Sequence, residues 1–158
     1  MPRVARSIDV SLSPECTWDL MTDLNLRPCW DESILEVQRG KLDHHRYSEG
    51  LSYKAPLLGW VSWHWEGVYA SFDPPYRSAV RMVWGSRLKP FRTLVGTWLL
   101  SGHGSGTNVR MIVSFEPRVQ LPVLGKVMGY MVETVLARSL NNLRNLSIGY
   151  RCTEDSRL

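Results

Sequence analysis

The stretch GWVSWHWEGVY, residues 59–69, places three tryptophans within six positions, with His64 and Glu66 among them. Strand side chains alternate between faces, so one parity holds Val61, Trp63, Trp65, Gly67 and Tyr69. The other holds Trp60, Ser62, His64, Glu66 and Val68. The first set is the more apolar. Leaving Trp63 and Trp65 in water would forgo roughly 2–3 kcal/mol for each ring. The segment therefore predicts a strand with one buried face, and some other element must cover that face.

Moving outward, period-two segments continue on both sides. SILEVQRGK and HRYSEGLSYKA precede it, joined by a polar loop around Leu42 to His45. The Asp73-Pro74-Pro75 turn follows, then RSAVRMVWG, FRTLVGTWLL and TNVRMIVSFEP, the last two joined by the glycine-rich SGHGSG. The same alternation turns Val80, Met82 and Trp84 inward and Arg81 outward. It turns Leu94, Trp98 and Leu100 inward, with Val109, Met111, Val113 and Phe115. Tyr47, Leu51 and Tyr53 complete that face.

Before these strands, RVARSIDVSL carries Val4, Ile8, Val10 and Leu12 on one parity, and Ser13-Pro14 starts a short helix running to about Asp23. A second, very short helix ends near Trp30. After the strands the period changes to that of a helix. From Pro122, the residues Leu124, Met128, Met131, Val135, Leu143 and Leu146 follow three- and four-residue spacing, and Leu136 and Leu140 widen the stripe. Lys126, Glu133, Arg138 and Arg144 fall on the wet side. The order is strand, two short helices, six strands and one long helix. Only that helix is large enough to cover the sheet, and a twisted sheet curls around it. The space between a curved sheet and a helix must then be filled by side chains or by a ligand.

With 158 residues and no repeat or linker, the chain is expected to form a single domain spanning residues 1–158. The basic excess of four is mild and its arginines are scattered, which does not describe a nucleic-acid surface. It does suit weak attraction to anionic lipid, as does the segment RLKPFR, so a transient membrane-surface contact is an expectation. Three widely spaced cysteines, Cys16, Cys29 and Cys152, with no CxxC pair, point away from a disulfide framework or a zinc site. Cys16 and Cys29 read as buried, inert thiols. MPRVARSIDV lacks the apolar run of a secretory leader, and no stretch is long and apolar enough to span a membrane. A cytoplasmic location is the expectation; the oligomeric state is left open.

The pattern resembles the START-like, helix-grip superfamily in its polyketide cyclase/dehydrase and lipid-transport branch. The resemblance rests on PECTWDLMTDLNLRPCWDESILEVQ, on VYASFDPPYR, on GTWLLSGHGSGTNVRMIVSFEP and on VMGYMVETVLARSLNNLRNL, and it covers nearly the whole chain. KPFRTLVGTW is also somewhat similar to a strand of coenzyme Q-binding relatives. The resemblance implies an α+β helix-grip fold: a seven-stranded curved antiparallel sheet around the C-terminal helix, with an apolar cavity between them. It also implies carriers, aromatase/cyclases or members without assigned activity, so fold does not settle function.

The expected ligand wall comprises Trp30, Tyr53, Trp63, Trp65, Tyr69 and Met82, with Trp84, Trp98, Met111, Val113, Met128 and Met131. Each ring alone is as well explained by core packing. Together, rigid rings, flexible methionines and a few hydroxyls suit an apolar, partly polar small molecule such as a lipid, quinone or polyketide. No cofactor and no metal is implied. His64 and Glu66 share a face and form a conceivable acid-base pair, but their parity sends both to solvent. His44 and His45 diverge beside a turn, and His103 sits in a hairpin loop. SGHGSG lacks the lysine and following helix of a phosphate loop. A cyclase would need a carbonyl-polarising donor, for which Tyr53 or Tyr69 qualifies, and Arg81 if the parity were shifted. No family catalytic set maps residue by residue onto this chain. A non-catalytic interaction protein with a filled interior is the third reading.

Overall fold

The computed structural model describes residues 1–42 and 49–152. The elements are β1 (Arg3–Val10), α1 (Pro14–Thr22), α2 (Arg27–Trp30), β2 (Glu36–Gly40), β3 (Gly50–Leu58), β4 (Val61–Asp73), β5 (Arg77–Gly85), β6 (Phe91–His103), β7 (Gly106–Pro117) and α3 (Pro122–Ile148). The seven strands form one antiparallel sheet in the order β1-β7-β6-β5-β4-β3-β2. Consecutive hairpins build the meander, and β1 closes onto β7. This is the α+β helix-grip architecture expected from the alternation and the terminal helix.

Local chemistry sets the boundaries. The Ser13 hydroxyl accepts from the Cys16 amide at 3.2 Å and Pro14 occupies the first turn of α1, as the Ser-Pro pair predicts. Gly104, with φ +60, permits the tight β6–β7 turn. Pro122 opens α3, whose 27 residues extend roughly 40 Å.

α3 packs mainly on β1 and β7, with α1 and α2 against it as well. Arg6 of β1 donates to the Glu133 carboxylate and ties the two elements across the sheet face. The main core joins Leu136, Leu140 and Leu143 of α3 to Trp18, Leu20, Met21, Trp30, Trp98 and Val109. Two further clusters stand apart. One gathers Ile34, Val37, Leu51 and Tyr53; the other gathers Ala55, Trp63 and Met82, with Trp65 touching both. The residues of α3 in the main core begin at Val132.

Four irregularities redirect side chains among the described residues, the first where the β3–β4 pairing skips Leu57 between Pro56 and Leu58. Trp84 pairs with Glu66 and Met82 with Gly67, so Val83 has no partner on β4. Ala70 is skipped between Tyr69 and Ser71 in the same ladder, and Arg92 is skipped on β6. Each bulge exchanges the faces beyond it. In addition, the β5–β6 ladder stops at Arg81–Val95. Met82–Gly85 and Phe91–Leu94 remain paired to β4 and β7 but part from each other.

Candidate functional site

β3 and β4 supply the centre of the aromatic wall. Their register is regular from Leu51 to Pro56 and sets Tyr53 opposite Trp65 and Ala55 opposite Trp63, all on the inner face. Tyr53 stacks on Trp65 with ring centres 3.9 Å apart and planes 11° from parallel. Trp63 follows at 6.2 Å, then Phe91 at 6.0 Å and Phe115 a further 5.4 Å away. A continuous run of rings thus crosses from β3 to β7, passing over the parted ends of β5 and β6. Trp63 is 3% exposed, while Trp65 is half-buried.

A polar node lies at α2. The Arg27 guanidinium sits 4.3 Å from the Trp98 ring centre and 5.1 Å from that of Trp30. It donates twice to Asp31 at 2.8 Å, and the other Asp31 oxygen accepts the Ser33 amide at 3.0 Å and the Ser33 hydroxyl. Asp31 is 2% exposed, so this is an ion pair taken almost wholly out of water. α3 holds the node in place: Ser139 accepts the Glu32 amide at 3.0 Å, and Asn142 donates to the Trp30 carbonyl at 3.4 Å. The indole N–H of Trp30 is fully buried and has no hydrogen-bond partner among the described residues. Burial pushes the Tyr53 phenol well above the ordinary tyrosine range, against the opposing influence of the Arg27 charge. Tyr53 thus connects the polar node to the aromatic run and keeps its proton at ordinary pH.

The expected wall residues divide among these groups. Trp30, Trp98, Met111 and Val113 belong to the main core, Tyr53 to the second cluster, Trp63 and Met82 to the third. Met128 is half-buried and belongs to none of them.

Several expectations are corrected. Trp84 does not share the inner face, because the Val83 bulge sets it opposite Glu66. Met131 is 49% exposed, on the solvent side of α3. Tyr69 is inward by register but 37% exposed, and its hydroxyl receives a 3.1 Å hydrogen bond from Arg39. Glu66 shares a face with His64 as expected, yet it is only 5% exposed rather than solvated. At nearby Gly50 a Cβ would lie 2.5 Å from the Gly67 carbonyl oxygen and 2.9 Å from Leu42, so the sheet leaves no room for a side chain there. Cys29 is exposed, not buried. His44, His45 and Tyr47 lie outside the described residues.

Sequence reasoning missed Arg27, Asp31 and Phe91. The first two stand at i,i+4 in RPCWD, a spacing that brings opposite charges together on a helix. Phe91 reaches the inner face through the bulge at Arg92, which no composition signal announces.

A curved antiparallel sheet gripping a C-terminal helix, with aromatic rings on its inner face, defines the START-like class. The chain belongs to the family described as polyketide cyclase / dehydrase and lipid transport, whose model matches residues 1–147. Among solved structures it is similar to the ZhuI aromatase/cyclase from Streptomyces sp. R1128, at 14% identity and a TM-score of 0.74, covering 92% of this chain and 93% of that one. It is similar to the protein XoxI from Bacillus cereus, at 15% identity and a TM-score of 0.72, covering 94% and 97%. A START superfamily protein from Mycobacterium smegmatis aligns at 16% identity and a TM-score of 0.67, covering 91% and 97%. No curated protein matches the chain significantly. At these identities the structural likeness establishes the fold alone.

Proposed function

We propose that the protein holds a hydrophobic small molecule of lipid, quinone or polyketide kind between the aromatic wing of the sheet and the N-terminal half of α3. The observation that carries this reading is the division of the core. The Trp63 cluster is separate from the cluster that holds α3, and α3 joins the latter only from Val132 onward. Leu124 and Met128 are left half-buried and outside every cluster. A guest lying against Trp63 and Trp65 would gain ~25 cal/mol for each Å² of apolar surface removed from water. The unpartnered Trp30 N–H and the protonated Tyr53 phenol are donors for a carbonyl or hydroxyl at its polar end.

The test is native mass spectrometry of protein purified from its own host, with extraction of whatever is bound. Tryptophan fluorescence titrations against lipids, quinones and polyketide-like compounds accompany it. Co-purification of an apolar compound, or a saturable change in emission, supports the reading. Recovery of nothing, together with unchanged emission across the panel, rejects it.

A second reading, ring closure of a bound poly-ketone, is favoured by the ion pair buried beside Trp30 and Trp98. A fixed cation and a protonated phenol are what a developing enolate oxygen requires nearby. Incubation with a linear poly-ketone distinguishes the two. A cyclase yields closed product that falls by orders of magnitude in Tyr53→Phe while binding persists; a carrier returns the chain unchanged.

A further inference from the structure

The antiparallel meander brings three connections to one end of the sheet: the β3–β4 hairpin (residues 56–62), the β5–β6 loop with Arg92 (86–92), and the β7–α3 segment with the first turns of α3 (116–127). They form one connected surface. The Ser86 amide donates to the His64 carbonyl at 2.8 Å, and the Arg118 amide donates to the Pro90 carbonyl at 2.9 Å. The Arg118 guanidinium also donates to the Arg87 carbonyl.

This end is apolar at its tips. Trp60 is 95% exposed, Leu58 70%, Val123 72% and Leu88 54%. Trp60 reaches farthest, because β4 continues from Val61 to His64 past its last β5 partner pair, Trp65–Gly85. An indole held in water at a hairpin tip contributes nothing to the fold and costs solvation. The same segments carry Arg87, Lys89, Arg92, Arg118 and Lys126 against a single carboxylate, Glu116. Five cations and one anion leave an excess of four, equal to the net charge of the whole chain, so the remainder is balanced. The one carboxylate is 3.9 Å from Arg92 and accepts from Gln120 at 2.9 Å.

We propose that this end docks on an anionic lipid bilayer, with Trp60, Leu58 and Leu88 entering the headgroup layer and the cations resting on lipid phosphates. Apolar tips ringed by cations match an interface that is greasy within and negative at its surface. A second copy of the chain is a poorer occupant, because a two-fold contact would set one fourfold positive patch against another. Docking would also turn the parted ends of β5 and β6 toward the membrane. The proposal itself rests on charge and exposure, and stands whether or not the interior takes a guest.

The experiment is sedimentation of the full chain with vesicles of phosphatidylcholine alone and of phosphatidylcholine with one quarter phosphatidylglycerol, at low and high salt. The expected result is binding to the anionic vesicles only, weakened by salt. Trp60→Ser should reduce partitioning about tenfold, and Arg87→Gln or Lys89→Gln about fivefold each. Because Trp60 and Arg87 are exposed and Lys89 is half-buried at the surface, the variants should melt with the wild type, which circular dichroism checks. Amide exchange at residues 58–61 should slow on the anionic vesicles. Failure to bind them, equal binding to neutral vesicles, or binding indifferent to Trp60→Ser overturns the proposal. So does self-association without vesicle binding that Trp60→Ser abolishes, which would assign the patch to a second copy.

Discussion

Arg27 and Asp31 show what one pair of side chains does to its surroundings. Each charge is shielded from water, so each depends on the other. Arg27→Met leaves the Asp31 carboxylate buried without a counter-charge and should destabilise the protein by about 3–5 kcal/mol. Replacing both, Arg27→Met with Asp31→Leu, should recover most of that loss; urea denaturation of the three variants measures it. Tyr53 gives a second residue-scale outcome. An unfolded tyrosine releases its proton near pH 10, whereas burial raises the folded phenol above this. Tyr53 therefore contributes its full stability below pH 10, and the contribution declines as pH climbs from there toward the folded value. The decline approaches ~1.4 kcal/mol per pH unit. In Tyr53→Phe the unfolding free energy should fall less steeply over that alkaline range.

At the scale of the element, β4 carries the argument. Trp63 in β4 and Trp60 in the turn just before it behave oppositely: Trp63→Ala should cost about 3–5 kcal/mol, whereas Trp60→Ala should stay within about 0.5 kcal/mol. For ligand uptake, Trp63→Ala should be more damaging than His64→Ala, and fluorescence titration of both decides whether the wall has been assigned to the correct face. Gly67 is a tighter test of the packing. A Cβ there would lie 2.9 Å from the Trp65 ring and 2.7 Å from a Val80 methyl. Gly67→Ala should therefore cost about 1–3 kcal/mol and shift tryptophan emission as Trp65 is displaced. Alternation in β3 and β4 sufficed to turn Tyr53, Trp63 and Trp65 inward, because the β3–β4 register is regular from Leu51 to Pro56 and obeys it. It misplaced Trp84 and overlooked Phe91, because a bulge is fixed by how two strands meet and not by the residue that bulges. The burial of Glu66 was equally invisible, since alternation reports which face a residue takes and not how deeply that face is covered.

For the whole molecule, two periods and their order were enough to read the architecture: period two six times over after one leading strand, then a long stripe at helical spacing. The extent of α3's grip was not legible in the same way. Its apolar stripe continues to its first turns, but only the part from Val132 onward joins the main core. Pattern reports which face a helix would bury, and tertiary geometry decides how much of it is buried. The same limit applies to the excess charge. Its size is plain from composition, but its concentration at one end exists only after antiparallel connections gather three distant segments.

The place where β5 and β6 separate has a mechanical meaning. Above Arg81–Val95 each strand has a bonded neighbour on one side only, so the sheet there resembles a seam with its last stitches undone. Opening such a seam breaks no interstrand bonds and needs only that Met82, Phe91 and Leu94 slide past one another. The loop carrying Leu88 should therefore exchange its amides faster than β1, β7 and the rear of α3, which hydrogen exchange measures.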